Sequence, residues 1–157
     1  MKTVTTSLLR QGFSVLVFFL FFKSAYSQSF ISETKVTGSF PLVSNLTATS
    51  IYTDETDHWL VNKAALLFQQ DVEKVSGKRP SIIHTIPISG DYIIIIGSLE
   101  KSPLLKQLVQ QNKDNLKNGG KWEGYTIQVV RNPIKGIKNA LVIAGNDRRG
   151  TAYGGLA

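Results

Sequence analysis

The stretch "GNDRRGT", Gly145 to Thr151, follows the apolar run "ALVIA" and reads as a strand, a tight polar loop and the first turn of a helix. Junctions of this kind bind phosphates when their residues allow it. A phosphate loop needs a Lys after the second glycine to neutralise charge and a hydroxyl beside it for magnesium. Gly145 and Gly150 have the spacing, but Thr151 stands where the Lys is required. The dinucleotide fingerprint fails too, because Asp147 occupies its second glycine position. The loop is therefore expected to be structural, with Asp147 capping the helix and the two glycines allowing a tight turn and a close strand-helix approach. Arg148 and Arg149 are less easily explained. Two adjacent guanidiniums at a helix start oppose the helix dipole, so they are expected to meet carboxylates on another domain or on a ligand. Asp147, Arg148 and Arg149 are the candidate interdomain or ligand contacts.

Other residue types offer little. Asp54, Glu55 and Asp57 form a tight acidic group, but they precede a helix, where the dipole favours acids. His58 and His84 are the two histidines, and neither has a second ligand at metal spacing. No Cys nucleophile exists and no Ser lies in a G-x-S-x-G setting. Glu123, between Trp122 and Tyr125, sits where aromatics could raise a carboxyl pKa or stack on a sugar, although a strand-start aromatic filling the edge of the core is favoured. Asn45 begins an "NLT" sequon. No catalytic, metal or cofactor-binding residue is expected.

The elements that hold these residues alternate in type. "FPLV" (Phe40 to Val43) and "TSIYT" (Thr49 to Thr53) read as short strands around a turn. The helix after His58 places Leu60, Ala64, Leu67, Phe68, Val72 and Val75 on one face, with Asp57 as N-cap and Gly77 as stop. "SIIHTI" is strand-like, and four successive Ile after Tyr92 have no polar face, which implies burial on both sides of a sheet. Ser102-Pro103 starts a helix carrying Leu104, Leu105, Leu108 and Val109. "YTIQVVRN" and "NALVIAG" are two strands joined closely enough for a hairpin. The fold class is α/β, a small two-layer or sandwich domain whose mixed β-sheet is covered by helices. The final "GTAYGGLA" carries three Gly and little apolar surface, so part of Ile93 to Ile96 or Leu141 to Ile143 is expected to lie bare and promote association.

The start of the chain has another purpose. Lys2 and Arg10 precede "FSVLVFFLFF", and small residues follow at Ala25 and Ser27, the parts of a cleaved export signal. The apolar run is about half of the ~20 residues that a bilayer span needs, so no stable membrane anchor is expected. No Cys follows it to carry lipid. Residues 1–27 are read as a signal peptide, and 28–157 as one domain of an exported, periplasmic or extracellular protein. Lys2, Arg10 and Lys23 leave with the signal, so the net charge of +7 falls to +4. The remaining positive residues are scattered, which argues against a nucleic-acid partner.

Taken together, "FPLV", "IYTDETDHWLVNKAALLFQQDVEKVSGKRP", "IIIIGSLEKSPLL", "GKWEGYTIQVVRNP" and above all "ALVIAGNDRRGTAYG" resemble the N-terminal domain of bacterial glycoside hydrolase family 115. These are secreted xylan α-1,2-glucuronidases. The resemblance runs from Phe40 to Gly154, with Asn146 where the family usually has Ser and with "GLA" departing from its helix. It implies a non-catalytic scaffold that precedes a large β/α-barrel, which carries the catalytic carboxylates and acts by inversion on glucuronoxylan side chains. The barrel domain and, through it, glucuronoxylan would be the partners. The 157 residues are accordingly expected to be a leading domain, incomplete at its last helix, cut before the barrel and inactive alone. The competing reading is a stand-alone exported binding module that takes acidic polysaccharide through Arg148, Arg149 and Trp122.

Export is expected to leave Gln28, free or cyclised, as the first residue in mass spectra of the secreted product. An intact Met1 in a membrane fraction would refute the signal assignment.

Overall fold

The computed structural model describes residues 31, 32, 34, 37–44, 47–111, 116 and 120–157. The signal segment and Asn45 lie outside them. The chain divides into a leading unit, 1–36, and a compact body from Thr37 to Ala157. Of the leading unit, Ser32 Oγ donates to the Thr34 carbonyl at 2.9 Å. No helix among the described residues is long and apolar enough to cross a membrane.

The body runs β1 (Ile51–Tyr52), α1 (Trp59–Ser76), β2 (Ile82–Ile83), β3 (Gly90–Ser98), α2 (Pro103–Gln110), β4 (Tyr125–Arg131), β5 (Ile137–Gly145) and α3 (Arg148–Leu156). The sheet order is β2-β1-β3-β5-β4. β2, β1, β3 and β5 are mutually parallel, and only β4 is antiparallel, forming a hairpin with β5. This is the expected mixed α/β sandwich.

The tetra-isoleucine run decides the layers. β-branched side chains suit a pleated strand, and with no polar face the strand is stable only if both sides are covered. Ile93 to Ile96 are each at most 1 % exposed. Ile93 and Ile95 pack with Leu104, Leu105 and Leu108 of α2, together with Tyr52, Val130 and Val142. Ile94 and Ile96 point the other way, toward Ala65 of α1, Ile51, Leu141 and Ile143. Helix α3 joins α1 on this second face, with Gly154 against Ile143 and the Tyr125 ring, and Gly155 against Ala64. Burying each Ile contributes roughly 1.5–3 kcal/mol, so this strand anchors both cores.

Several local expectations hold. Gly77 adopts φ 68° and its N–H closes α1 on the Glu73 carbonyl. Ser102 Oγ accepts from Leu105 N–H, and Pro103 fills the first turn of α2.

Others are corrected. Phe40 to Val43 form no strand; a single bridge joins Val43 to Ala48. Pro41 has no N–H to give a ladder, and its carbonyl is taken by Thr49 Oγ1 at 2.7 Å. The buried side of α1 is centred on Val61, Ala64, Ala65 and Gln69, while Val75 is 88 % exposed. Gln69 is buried because its amide donates to the Pro80 carbonyl and accepts from Arg79, partners that an apolar count along the helix does not see. The surface expected to lie bare is covered: Leu141, Val142 and Ile143 are buried along with the Ile run. The glycines and alanine of α3 bring its axis close enough for nine residues to suffice.

Asp57 is not the N-cap of α1 either. His58 holds that position without a side-chain cap bond, and the Asp57 carboxylate turns toward the end of β3. There it accepts Ser98 N–H at 2.8 Å and Ser98 Oγ–H at 2.7 Å, and it also accepts His58 N–H at 2.7 Å. The two buried Ser98 donors claim the carboxylate more strongly than a helix start in solvent would. Asp57→Ala leaves both without a partner and is expected to destabilise the fold by about 3 kcal/mol in urea denaturation. Exposed Glu55→Ala should change stability by less than about 0.5 kcal/mol.

Candidate functional site

Because β1, β3 and β5 are parallel, their carboxyl ends emerge at one edge of the sheet, and antiparallel β4 begins there. Open α/β sheets bind ligands outside this edge, where successive connections leave for opposite faces. The connection after β1 leads to α1 on one face and that after β3 leads to α2 on the other, so a crevice belongs between them. The chain fills it with its own side chains. Asp57 bridges to Ser98, and His58 Nε2 donates to Glu100 Oε2 at 2.9 Å. The acidic group is thus a structural tie, and Asp54 adds only a local turn by accepting Thr56 N–H and Oγ–H. His84 is likewise engaged, with Nδ1 donating to the Thr53 carbonyl at 2.9 Å.

Farther along the edge, the loop after β5 is laced to the turn before β4. Asn146 N–H donates to the Gly124 carbonyl at 2.9 Å, and its side-chain amide donates to the Lys121 carbonyl at 2.7 Å. Asp147 caps α3 as expected, accepting from Arg149 N–H and Gly150 N–H, both at 2.8 Å. Its second oxygen accepts Glu123 N–H at 2.8 Å, which fixes Glu123 at φ 56°. Burial works to raise the Asp147 pKa, but the three backbone donors and the Arg149 charge outweigh it and hold the carboxyl below its ordinary value.

The glycines are required by space. A Cβ on Gly145 would lie 2.0 Å from Thr151 N, and one on Gly150 would lie 2.3 Å from the Gly124 carbonyl oxygen. Thr151 Oγ1 donates into the same junction, to the Gly97 carbonyl at 3.1 Å or the Asp147 carbonyl at 2.9 Å.

The edge therefore brings Asp147 and Arg149 together with Glu123, and ties the loop that carries Arg148 to the turn that carries Trp122. Arg149 has a partner inside this domain, since its Nη1 meets Glu123 Oε1 at 2.9 Å. That bond and charge hold the guanidinium above its ordinary pKa. Arg148 is exposed and has no carboxylate partner among the described residues. Trp122 does not fill the core edge; it stands 77 % exposed on its turn. Trp59, at the start of α1 on the same edge, is 76 % exposed and was not signalled by the sequence. Nor were the Asp57–Ser98 and His58–Glu100 ties, whose partners are about forty residues apart. A general acid and base would need two carboxyls free to reach a substrate. Asp57, Glu123 and Asp147 are all committed to the protein itself, and the described residues hold no cluster of metal ligands.

No family model and no curated protein matches this chain. Among solved structures, it is similar to a family GH115 4-O-methyl-α-glucuronidase with specificity for decorated arabinogalactans, at 27 % identity and a TM-score of 0.51. The match covers 69 % of this chain and 12 % of that one. The likeness supports a relationship to glycoside hydrolase family 115, carried by a domain far shorter than the neighbour.

Asp147→Ala should cost about 1–2 kcal/mol at neutral pH through loss of the cap. A carboxyl with a lowered folded pKa stabilises above its unfolded value of ~3.9 and loses that contribution as pH falls through the folded value. Urea midpoints of the parent and the variant are thus expected to converge at acid pH. A constant gap from pH 7 to 2 would show that the carboxylate charge is irrelevant.

Proposed function

We propose that the chain is the N-terminal, non-catalytic α/β domain of an exported glycoside hydrolase, an α-glucuronidase that removes glucuronic or methylglucuronic acid from glucuronoxylan. The single observation that carries this reading is the match to the family 115 glucuronidase over 69 % of the chain. Its specificity for decorated arabinogalactans makes a uronic acid side chain the common chemistry, with the polymer backbone as the variable.

The non-catalytic assignment has separate support. Inverting hydrolysis needs an acid and a base about 6.5–9.5 Å apart across an open site. In this domain Glu123 is paired with Arg149, Asp147 caps α3, and Asp57 is buried against Ser98. The acid and base would then lie in a barrel domain of a longer polypeptide, with this domain as its scaffold. The export signal at residues 1–27 belongs to the same reading.

Purified chain incubated with glucuronoxylan is expected to release no free uronic acid, and the DNA beyond the Ala157 codon is expected to encode a barrel domain in the same or a shifted frame. Turnover that disappears in Glu123→Gln would overturn the scaffold assignment. A clean stop in several isolates with no barrel coding downstream would overturn the assignment to a larger hydrolase.

A further inference from the structure

The sheet ends on two unlike edges. On one side β2 is two residues long, and shortness is one way a fold keeps an edge from pairing with another chain. On the other side β4 runs seven residues, Tyr125–Arg131, without Pro, Gly or Lys and in unbroken register with β5. Of the usual protections against edge pairing it has only the charge of Arg131, at its last position.

The hairpin decides which backbone groups of β4 face outward. Asn132 N–H donates to the Lys138 carbonyl at 2.7 Å, and Asn146 N–H donates to the Gly124 carbonyl at 2.9 Å. Antiparallel strands exchange bonds at alternate residues, so Thr126, Gln128 and Val130 turn their backbone groups to β5. Ile127 and Val129 turn theirs outward, where no described residue takes them. Their side chains lie on the face away from α2, where Ile127 is partly buried and Val129 is 41 % exposed.

Gln128 supplies a second, independent observation. It points to the α2 face, as Val130 does. Its Nε2 is buried and has no hydrogen-bond partner, although buried donors are almost always paired. The core on that face consists of Ile, Leu, Val and Ala with Tyr52, and none of these supplies an acceptor. The residue as a whole is only partly buried, so its amide can turn to the open edge.

We infer that β4 is a homodimer edge, on which a second copy of this chain pairs antiparallel about a two-fold axis at Gln128, joining two five-stranded sheets into one. In that register Ile127 and the partner's Val129 exchange both backbone bonds, and symmetry repeats the exchange, so the outward groups of both residues are satisfied. Gln128 faces the partner's Gln128 at a non-hydrogen-bonded position, where side chains of paired strands come closest. A carboxamide both donates and accepts, so each orphaned Nε2 meets the Oε1 of the other copy. Ile127 and Val129 form β-branched cross-strand pairs, and Arg131 lies opposite the partner's Tyr125, so like charges do not meet. A second copy fits better than an unrelated strand because an isologous contact must be self-complementary, and the residue at the axis bonds to its own kind. The pairing is independent of the scaffold reading, which is decided by the sequence downstream.

The chain has no Cys, so one introduced thiol reports where the axis lies. At a non-hydrogen-bonded pair the Cα atoms are about 4.5 Å apart, within disulfide range. Gln128→Cys under mild oxidation is expected to run as a disulfide-linked dimer in non-reducing gels. Thr126→Cys should run as a monomer, because its two copies would be roughly 13 Å apart along the strands. Sedimentation of the secreted chain is expected to give twice the monomer mass. Val129→Pro removes an outward N–H and leaves the ladder to β5 intact. Losing that bond from both copies should weaken association about thirtyfold. Thermal melts check folding, and Val129→Lys carries the test if the Pro variant is unstable. Val75→Lys, on the exposed side of α1, should stay dimeric. A monomeric mass at every concentration would overturn the inference, assigning the open edge to another segment of a longer polypeptide. So would a dimer that survives both Val129 substitutions, or cross-linking of Thr126→Cys to the same extent as Gln128→Cys.

Discussion

A strand that is apolar on both faces cannot exist at the surface of a domain, and β3 imposes that constraint on everything around it. Ile93 and Ile95 require cover on one side, Ile94 and Ile96 on the other. Helices on both faces require the connections after β1 and β3 to diverge. Divergence opens a gap at the carboxyl edge, and the buried end of β3 projects Ser98 N–H and Oγ–H into it. Two buried donors must be satisfied, since each costs about 1–3 kcal/mol if left alone. Asp57 is the answer to a vacancy that four isoleucines create. The same carboxylate, by holding His58, sets where α1 begins.

Asp57 and Asp147 do similar work at two places on this edge. Each accepts three hydrogen bonds and each joins segments remote in sequence, Asp57 to β3 and Asp147 to the turn at Glu123. For Asp147 the three donors hold the carboxyl in its charged form against the effect of burial. The edge that would host a ligand in many α/β proteins is here bridged between β1 and β3 by the Asp57–Ser98 and His58–Glu100 bonds.

How far the sequence reveals this depends on the range of each interaction. Ser102 and Pro103, Gly77, and Asp147 as a cap act within one turn of chain, and their residue types announce them. The buried strand is legible because four Ile in succession admit few other environments. Phe40 to Val43 misleads because apolar type says nothing about whether a ladder partner exists. Asp57 misleads for the opposite reason: its type fits a cap, and only the three-dimensional arrangement supplies Ser98 as a stronger claimant. The covered face under α3 was hidden as well. Glycine reads as weak helix and lost apolar surface, whereas here Gly154 and Gly155 bring the helix down onto Ile143 and Ala64.

The motif that carries the family resemblance can be resolved residue by residue. Gly145 makes room for Thr151, and Gly150 makes room for the Gly124 carbonyl. Asp147 caps α3, Arg149 pairs with Glu123, and Thr151 Oγ1 reaches the Gly97 carbonyl. Even Asn146 has an assignment, holding the Lys121 turn through its amide. Each of these residue types meets a packing or hydrogen-bonding demand of a strand-loop-helix junction built this tightly. Arg148 is the exception. Its side chain has no carboxylate partner among the described residues, it opposes the dipole of its own helix, and its neighbour already pairs with Glu123. The fold accounts for six of the seven residues from Gly145 to Thr151, and Arg148 is the one with no assigned contact among the described residues.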